Sequence, residues 1–444
     1  MTYSDAVAYL ESLVDFERLG FRRHFADTVS LDSIRALLGL LGDPQRGVPC
    51  VHIAGTKGKG SVAVMVESVL RTAGLKTGLF TSPHLVSFRE RIRVDGVMVS
   101  EEEIAWAVEQ VRGPIEQLRE EGKLNPSTFF EAYLAMAFVL FRERGVELAV
   151  LETGLGGRLD ATNTCEPLAC AITTLGLDHT EILGDSIEQI AREKAGILKS
   201  GVPAVYAPPE PAAEAALREV AEAVGAPLRP APEILRTDSG REKGLRPLFD
   251  VTVQMADGPL TVELPLFGEH QATNLSVALG LVELLREQGY EIADGAIVRG
   301  LADVQWPGRL QVAGTRPWVV LDGAHNEPSA RALAKALPQM VEYRRLIAVI
   351  GMAADKDVRT FCEILAPLVD VAVLTQARLS RALPAEELAR VSAGLWKDSR
   401  VVGNVAEALQ VARAEAGDDD CIVVTGSLVV VGEAMEEMGL GEGR

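Results

Sequence analysis

Hydrophobic positions along the chain follow two alternating patterns, and their order predicts an α/β fold. Short runs rich in β-branched residues indicate buried strands, and the stretches between them repeat apolar residues every three or four positions, as amphipathic helices do. Two of these helices are predicted at 128–144 and 186–199. Such alternation is typical of a mostly parallel sheet. The strands predicted in the first half of the chain are 49–54, 77–82, 147–153, 168–174 and 203–207.

The pattern changes in the middle of the chain. Residues 208–233 are rich in Pro, Ala and Glu and predict a helix with loose flanks. Residues 248–265 alternate apolar and polar positions around an Asp-Gly pair, which predicts an antiparallel hairpin. Two further helices are predicted near 271–287 and 291–302. We therefore expect a small antiparallel β element beside the parallel sheet.

A break at residues 305–309 (QWPGR) predicts a domain boundary. Beyond it a second αβ series begins, which indicates a Rossmann-like α/β domain. Its strands are predicted near 318–323, 345–351, 370–375 and 421–426. The length of 444 residues also favours more than one core. We predict an N-terminal domain over 1–306 and a C-terminal domain over 307–444.

Composition narrows the classes of protein that fit this pattern. The formal net charge is −19, which argues against a nucleic-acid partner and leaves small molecules as the expected partners. No apolar run reaches the roughly 18 residues of a membrane span, and the first residues lack the pattern of a signal peptide. Five scattered cysteines without CxxC spacing favour reduced thiols in a cytoplasm and argue against a zinc site.

The most informative motif is residues 51–61 (VHIAGTKGKGS), where a strand, a glycine-rich loop and a helix start follow one another. Glycines let the backbone wrap an anion, and the helix N-terminus adds its positive end. Lys59 can place a charge on terminal phosphates, and the Ser61 hydroxyl can face Mg²⁺. The spacing differs from the standard phosphate loop, because only two residues separate Gly55 from Gly58. A tight turn with a solvated lysine is the alternative, but the flanking strand and helix favour a P-loop ATPase-like domain.

Three polar side chains are predicted at the carboxyl ends of strands, where open α/β sheets bind ligands. Ser82 precedes a proline, so it is either a metal or phosphate ligand or a simple turn residue. Glu152 emerges at a strand end and can hold Mg²⁺ through oxygen. His179 follows a third strand. Because Mg²⁺ prefers oxygen, the alternative for this residue is a histidine that orients a carboxylate.

Further candidates lie in a helix and in the second αβ series. Lys194 lies near Gly196 in the predicted helix 186–199. A glycine inside a helix costs about 1 kcal/mol relative to alanine, which suggests close packing or a nearby ligand. His325 lies in one strand-to-helix junction, DGAHN, and Ser427 lies in another, TGS. Either junction fits a small anionic amino acid or a nucleotide ribose, and each taken alone is also compatible with a turn.

Ten motifs occur in one order along nearly the whole chain. They are GTKGKGS (55–61), TSPHL (81–85), ETGLGGRLDATN (152–163), LDHTEILG (177–184), REKAGILK (192–199), GEHQATN (268–274), WPGRL (306–310), DGAHN (322–326), DKD (355–357) and TGS (425–427). Together they resemble the folylpolyglutamate synthases and dihydrofolate synthases, which are ATP-dependent amide-forming ligases of the Mur ligase superfamily. Two positions depart from that pattern: Lys57, where many members have asparagine, and Val429 or Val430, where many have an aromatic residue.

The resemblance implies a role for each motif. The residues that would hold ATP are Gly55, Thr56, Lys57, Gly58, Lys59, Gly60, Ser61, Asn274, Arg309 and Asp322. Magnesium ions would be held by Ser82, Glu152 and His179, with Ser61 and a carbamylated Lys194 as further ligands. Folate would contact Thr128, Phe130 and Asp160, and glutamate would contact His325 and Ser427. The residues expected to act in catalysis are Lys59, Lys194 and His325.

The resemblance also implies a monomeric enzyme with a two-step reaction. A substrate carboxylate attacks the γ-phosphate of ATP to give an acyl phosphate and ADP, and the amine of L-glutamate then displaces phosphate. The GGRLDATN and TSPHL motifs are similar to the bifunctional bacterial form, so we expect one site to add glutamate to dihydropteroate and to reduced folates. Three alternatives stay open: polyglutamylation only, another Mur-type ligase such as one acting on a cell-wall nucleotide precursor, and a nucleotide-binding protein without catalysis.

Overall fold

The computed structural model describes residues 1–14, 30–124, 128–243 and 246–441. Over these ranges the chain forms three β-sheets and the helices that cover them, which confirms the predicted α/β class. None of the helices in these ranges is both long enough and apolar enough to cross a bilayer.

An eight-stranded sheet forms the centre of the N-terminal part of the chain. Its strands are β1 (Cys50–Ala54), β2 (Thr77–Phe80), β3 (Ile92–Val94), β4 (Val97–Met98), β5 (Leu148–Glu152), β6 (Pro167–Ile172), β7 (Ala204–Tyr206) and β8 (Leu228–Pro230). Their spatial order is β4-β3-β2-β5-β1-β6-β7-β8. The β2–β3 and β3–β4 pairs are antiparallel, and the other pairs of this sheet are parallel. The five predicted strands are all present, and β3, β4 and β8 are additional strands that extend the sheet at its two ends.

Helices cover both faces of this sheet, so its strands are buried on two sides. The helices are α1 (Tyr3–Ser12), α2 (Asp32–Leu40), α3 (Lys59–Thr72), α4 (Glu101–Glu120), α5 (Thr128–Glu143), α6 (Thr180–Leu183), α7 (Ile187–Ala195), α8 (Pro211–Val224), α9 (Glu269–Glu287) and α10 (Asp294–Ala302). Successive residues of β5 face different cores. Leu148 and Val150 pack with residues of α3 and α9, whereas Ala149 and Leu151 pack with residues of α2 and α5.

A small antiparallel sheet lies beside the first one, as the alternating pattern predicts. Its strands are β9 (Ile234–Lys243), β10 (Arg246–Met255) and β11 (Gly258–Leu264). Met255 pairs with Gly258 where the β10–β11 hairpin turns, which confirms the predicted hairpin. The strand β9 adds a third member that the pattern does not predict. Val251, Val253 and Val262 attach this sheet to the core that includes α9 and α10.

A six-stranded sheet forms the centre of the C-terminal part. Its strands are β12 (Gln311–Thr315), β13 (Trp318–Leu321), β14 (Leu346–Ile350), β15 (Val371–Leu374), β16 (Ser399–Val401) and β17 (Cys421–Thr425). They lie in the order β12-β13-β17-β14-β15-β16, and only β12 pairs in antiparallel fashion. The helices of this part are α11 (Glu327–Met340), α12 (Val358–Leu365), α13 (Ala385–Val391), α14 (Val405–Glu415) and α15 (Leu428–Glu437).

Two predicted helices are shorter than the pattern suggests. The helix predicted at 186–199 ends at Ala195, because Gly196 caps it and the chain turns away. The helix predicted within 208–233 ends at Val224, where Gly225 adopts a left-handed conformation with φ of 79°. The chain then forms β8, a three-residue strand that extends the sheet.

Phe138→Ala should destabilise the fold strongly. Phe138 is fully buried in α5, where it packs in the core under the sheet. Loss of such an aromatic side chain leaves a cavity and costs about 3–5 kcal/mol. Urea unfolding should measure this loss. Leu40→Ala is the control, because Leu40 is 45% exposed and its truncation should change the unfolding free energy by no more than about 0.5 kcal/mol. Equal losses in both variants would contradict the assigned core.

Candidate functional site

The carboxyl ends of both parallel sheets face one cleft of about 1900 Å³. Nearly all of the candidate residues line this cleft, from both parts of the chain. Gly55 and Lys194 lie just beneath its surface and contact each other. The side chain of Thr128, a predicted folate contact, lies outside the described residues. The candidate residues that line the cleft are Thr56, Lys57, Gly58, Lys59, Gly60, Ser61, Ser82, Phe130, Glu152, Asp160, His179, Asn274, Arg309, Asp322, His325 and Ser427.

The glycine-rich loop joins the end of β1 to the start of α3 and is fastened to the end of β6. The amides of Thr56 and Lys57 donate to the carbonyl of Thr174, at N–O distances of 2.9 and 3.2 Å. These two amides are therefore occupied, and the N–H groups that can meet an anion are those of the first turn of α3. Gly58 has φ of 88°, and a methyl group there would overlap the side chain of Asn274. Asn274 thus packs directly on the loop.

Two lysine side chains share one acceptor under this loop. Lys59 Nζ lies 3.2 Å from the Gly55 carbonyl oxygen, and Lys194 Nζ lies 2.9 Å from the same atom. The Lys194 side chain is buried, with 4% of the residue exposed. Burial, together with the neighbouring charge of Lys59, lowers the pKa of Lys194 to about 7. The buried Lys194 amine therefore loses its proton far more readily than an exposed lysine does.

Lys194 is held in place by the loop that follows β5. The amide of Arg158 donates to the Glu193 carbonyl at 2.8 Å, and Asn163 Nδ2 donates to the carbonyls of Arg158 and Gly196, each at 3.0 Å. A methyl group on Gly196 would overlap Arg158, so the close packing expected at this glycine is present although it caps the helix. The end of α7 and this loop therefore form one rigid unit.

Asp160 shapes the same loop. One carboxylate oxygen accepts from the Leu155 amide at 2.8 Å, and the other accepts from the Thr162 amide at 3.0 Å and from the Thr162 hydroxyl. Phe130 borders the loop, because a Cβ on Gly154 would lie 2.8 Å from its ring. The Phe130 ring also meets Phe80 edge-on, with centroids 5.6 Å apart. Asp160 and Phe130, which are both predicted folate contacts, therefore form one wall of the cleft.

Oxygen donors converge where β5 ends. Glu152 is buried, and its Oε2 accepts from the Ser82 amide at 3.1 Å. The same oxygen would lie 3.3 Å from a Cβ on Gly60, so the carboxylate borders the first turn of α3, where Ser61 lies. Within the described ranges, no three His, Cys, Asp or Glu side chains form a metal site by themselves. Mg²⁺ keeps several waters and binds phosphate oxygens, so this sparse set of oxygens fits it.

His179 also lines the cleft, in the loop between β6 and α6. The backbone of His179 adopts a left-handed conformation, with φ of 50°, and the residue directly precedes α6. Burial lowers the pKa of its imidazole to about 4 despite the nearby Asp178 carboxylate, so the ring is neutral at pH 7. Asp178 is itself paired with Lys57 Nζ at 2.8 Å. Burial opposes the ionised form of Asp178, but the adjacent Lys57 charge prevails and holds its pKa below the usual range.

The C-terminal part contributes four predicted residues, and all of them line the cleft: Arg309, Asp322, His325 and Ser427. Asp322 accepts from the amides of Leu310 and Ala324 at 2.9 and 3.0 Å, and burial raises its pKa. His325 Nδ1 lies 2.8 Å from the Gly323 carbonyl, which can only accept, so Nδ1 carries the proton and Nε2 is an acceptor. Burial, and then the charge of Lys57, lowers the pKa of His325 to about 3. Ser427 caps α15 by accepting from an amide.

Lys356 and Trp306 also line the cleft, and neither of them has a binding or catalytic role predicted from the sequence. Lys356 belongs to the DKD motif, and its charge contributes to the lowered pKa values of His179 and His325, which places it near both. Trp306 packs on the loop, since a Cβ on Gly60 would lie 2.6 Å from its ring. The motifs mark both positions, but only the fold brings residues so distant in sequence to Gly60 and His179.

Comparison with known proteins agrees with this arrangement. Residues 53–282 match the Mur ligase middle domain, and residues 308–428 match the Mur ligase glutamate ligase domain. The first match contains the glycine-rich loop, and the second contains the DGAHN junction. These matches place the chain in the Mur ligase superfamily.

Relatives and solved structures give a narrower assignment. The dihydrofolate synthase/folylpolyglutamate synthase of Escherichia coli is 34% identical, over 97% of this chain and 94% of its own. A Mycobacterium tuberculosis folylpolyglutamate synthase structure, complexed with ADP, superposes with a TM-score of 0.87 at 33% identity, covering 98% of this chain and 99% of its own. A probable bifunctional folylpolyglutamate synthase/dihydropteroate synthase of Haloferax volcanii is 38% identical over 98% of this chain, which spans 50% of that protein's length. The chain belongs to the folylpolyglutamate synthase/dihydrofolate synthase family of the Mur ligase superfamily.

Lys194→Met should remove a pH dependence of stability. The folded pKa of Lys194 is about 7, whereas an unfolded lysine titrates near about 10.4, so between these values the unfolded chain binds more protons. The unfolding free energy of the wild type should therefore rise from pH 7 to pH 10 relative to the variant. Urea unfolding in CO₂-free buffer at several pH values measures this. Lys335→Met, at an exposed lysine, is the control, and parallel profiles for wild type and Lys194→Met would contradict the assignment.

Proposed function

We propose that the protein is an ATP-dependent ligase that adds L-glutamate to dihydropteroate and to the γ-carboxylate of reduced folates. The observation that carries this proposal is the single cleft, in which the glycine-rich loop and Glu152 face His325 and Ser427 from the other sheet. Phosphoryl transfer and amide formation need their reactants held together. The relatives support the substrate class, since a solved Escherichia coli structure that is 31% identical to this chain is in complex with DHPP and ADP. The Haloferax relative is twice as long as this chain, so the name of that relative does not by itself assign an activity to this chain.

In the first step, the substrate carboxylate attacks the γ-phosphate of ATP and ADP leaves. The first turn of α3 and Lys59 face the transferring phosphoryl group and offset its charge. Asn274 contacts the loop from α9, and Arg309 and Asp322 face it from the C-terminal part, so these residues orient the nucleotide.

In the second step, the glutamate amine attacks the acyl phosphate carbonyl, an amide bond forms and phosphate leaves. His325 is neutral, and its Nε2 is an acceptor, so it can take a hydrogen bond from the incoming ammonium or amine. Ser427 and the N-terminus of α15 offer donors to a carboxylate of glutamate. Phe130 and the loop containing Asp160 form the wall against which the pteridine of the substrate packs.

Magnesium is the proposed cofactor, held by Ser82, Glu152 and His179, with Ser61 beside them. When bound, Mg²⁺ would neutralise phosphate charge that the protein side chains alone leave uncompensated. Lys194 would be a further ligand as its carbamate: its uncharged amine would add to CO₂ and release a proton, which would leave an anionic oxygen donor in place of the amine. The lowered pKa of Lys194 supports this modification.

Three further features belong to the proposal. The boundary between the domains lies at 306/307, which agrees with the gap between the two matched regions. The protein acts as a monomer, as the resemblance implies. It works in the cytoplasm, which is supported by five cysteines that are all buried and free of disulfides.

The decisive experiment is glutamate-dependent ADP release by the purified protein with MgATP. Dihydropteroate and tetrahydrofolate are assayed in parallel, and the amide product is identified by mass. We expect release with both substrates. Release with tetrahydrofolate alone would restrict the protein to polyglutamylation. Release only with a UDP-linked precursor would assign it to another Mur-type ligase, and nucleotide binding without release would leave a non-catalytic protein.

Lys59→Ala should abolish turnover, because the developing charge on the transferred phosphoryl group loses its adjacent cation. Loss of such a charge contact typically lowers kcat by about 10² to 10³. Steady-state ADP release measures it, with Lys335→Ala as the matched control at an exposed lysine. Turnover within about threefold of wild type would remove Lys59 from the assigned role.

A further inference from the structure

The TSPHL loop makes a direct backbone contact with the C-terminal part of the chain. Leu85 and Val86 follow Ser82 in this loop, and both pack against the core that includes α15. Gly432 is buried on that helix. A methyl group on Gly432 would overlap the carbonyl oxygen of Leu85, so the loop backbone lies directly on the helix surface.

The loop is held in one shape where it meets the helix. The amides of Leu85, Val86 and Ser87 all donate to the carboxylate of Glu90, at 2.8, 2.8 and 2.7 Å. Three hydrogen bonds to one ionised group are strong and leave the loop little freedom. At the start of the loop, the Ser82 amide is bound to Glu152. A displacement at Leu85 would therefore be transmitted to Ser82.

The Leu85 side chain fills a space that another glycine leaves open. A Cβ on Gly308 would lie 3.1 Å from Leu85 Cδ1 and 3.2 Å from Val431 Cγ1. Gly308 lies two residues after Trp306, in the segment 306–310 where the second matched region begins. Leu85 therefore contacts both this segment and α15.

The helix that carries Gly432 also begins at the proposed glutamate site, because Ser427 caps it. Ser427 precedes Gly432 by five positions, and Ser82 precedes Leu85 by three. Because α15 is a helix and the loop is held by Glu90, a shift where they meet would also move Ser427 and Ser82. We infer that Gly432 is a positioning residue: the missing side chain lets the C-terminal part seat on the TSPHL loop and so brings bound glutamate to the acyl phosphate. This inference rests on the proposed function.

If α15 does not pack correctly on the TSPHL loop, acyl phosphate formation should no longer lead reliably to amide formation. An acyl phosphate that does not meet the glutamate amine reacts with water, which returns the carboxylate and releases phosphate. ATP is then consumed without an amide bond. The amount of amide formed per ADP released therefore measures how well the two sides are aligned.

The test compares Gly432→Ala and Gly432→Val with the wild type. Amide formation should fall about tenfold in the alanine variant and further in the valine variant, and amide per ADP should fall as well. Gly39→Ala is the matched control, because Gly39 lies in α2 with open space around it. Alanine favours a helix more than glycine does, so a purely local role for Gly432 predicts no loss in Gly432→Ala.

Hydrogen exchange supplies a readout that does not depend on activity. In Gly432→Ala, amides of 82–90 and 428–437 should exchange faster than in the wild type, while those of β1 stay unchanged. Unchanged exchange with unchanged amide per ADP would overturn the inference. A wild-type protein that makes no glutamate amide with either pteroate or folate would refute the proposed function instead, and the exchange difference alone would then decide whether the contact exists.

Discussion

The carbonyl oxygen of Gly55 accepts hydrogen bonds from both Lys59 and Lys194, and the electrostatics of the cleft depend on this shared acceptor. Two ammonium groups this close repel each other, and the deeper one can lower its free energy by losing its proton. Lys59 stays at the start of α3, where the helix N-terminus already attracts anions. The result is one cation that faces the cleft and one buried amine whose pKa is lowered to about 7.

The surrounding loops keep this arrangement from relaxing. Gly55 cannot move away, because the next two amides are bound to Thr174 and a methyl group on Gly55 would overlap Thr173. Lys194 cannot withdraw, because Asn163 ties the end of its helix to the loop after β5. That loop in turn is shaped by Asp160. The phosphate side and the folate side of the cleft are therefore parts of one connected network.

The sequence predicts the long, strongly patterned elements and the residues at their ends. The central strands, the hairpin at Asp257-Gly258 and the polar groups after β2, β5 and β6 follow from local pattern. The two-residue β4 and the three-residue β8 and β16 do not, since strands this short form only because a neighbouring edge offers partners. Local pattern also cannot reveal that Lys57 pairs with Asp178, because the fold alone joins residues 121 positions apart.

Several contacts that shape the site run from backbone to backbone. At Gly157 the neighbouring atoms are the carbonyl oxygens of Glu193 and Lys194, and at Gly196 they include the backbone of Arg158. Where a new side chain clashes with another side chain, substitution of the neighbour by a smaller residue can remove the clash. Substitution cannot remove a clash with backbone atoms, because these are present whichever residue occupies the neighbouring position. A side chain at either position would therefore need the loop itself to move, which separates these two glycines from the ordinary core.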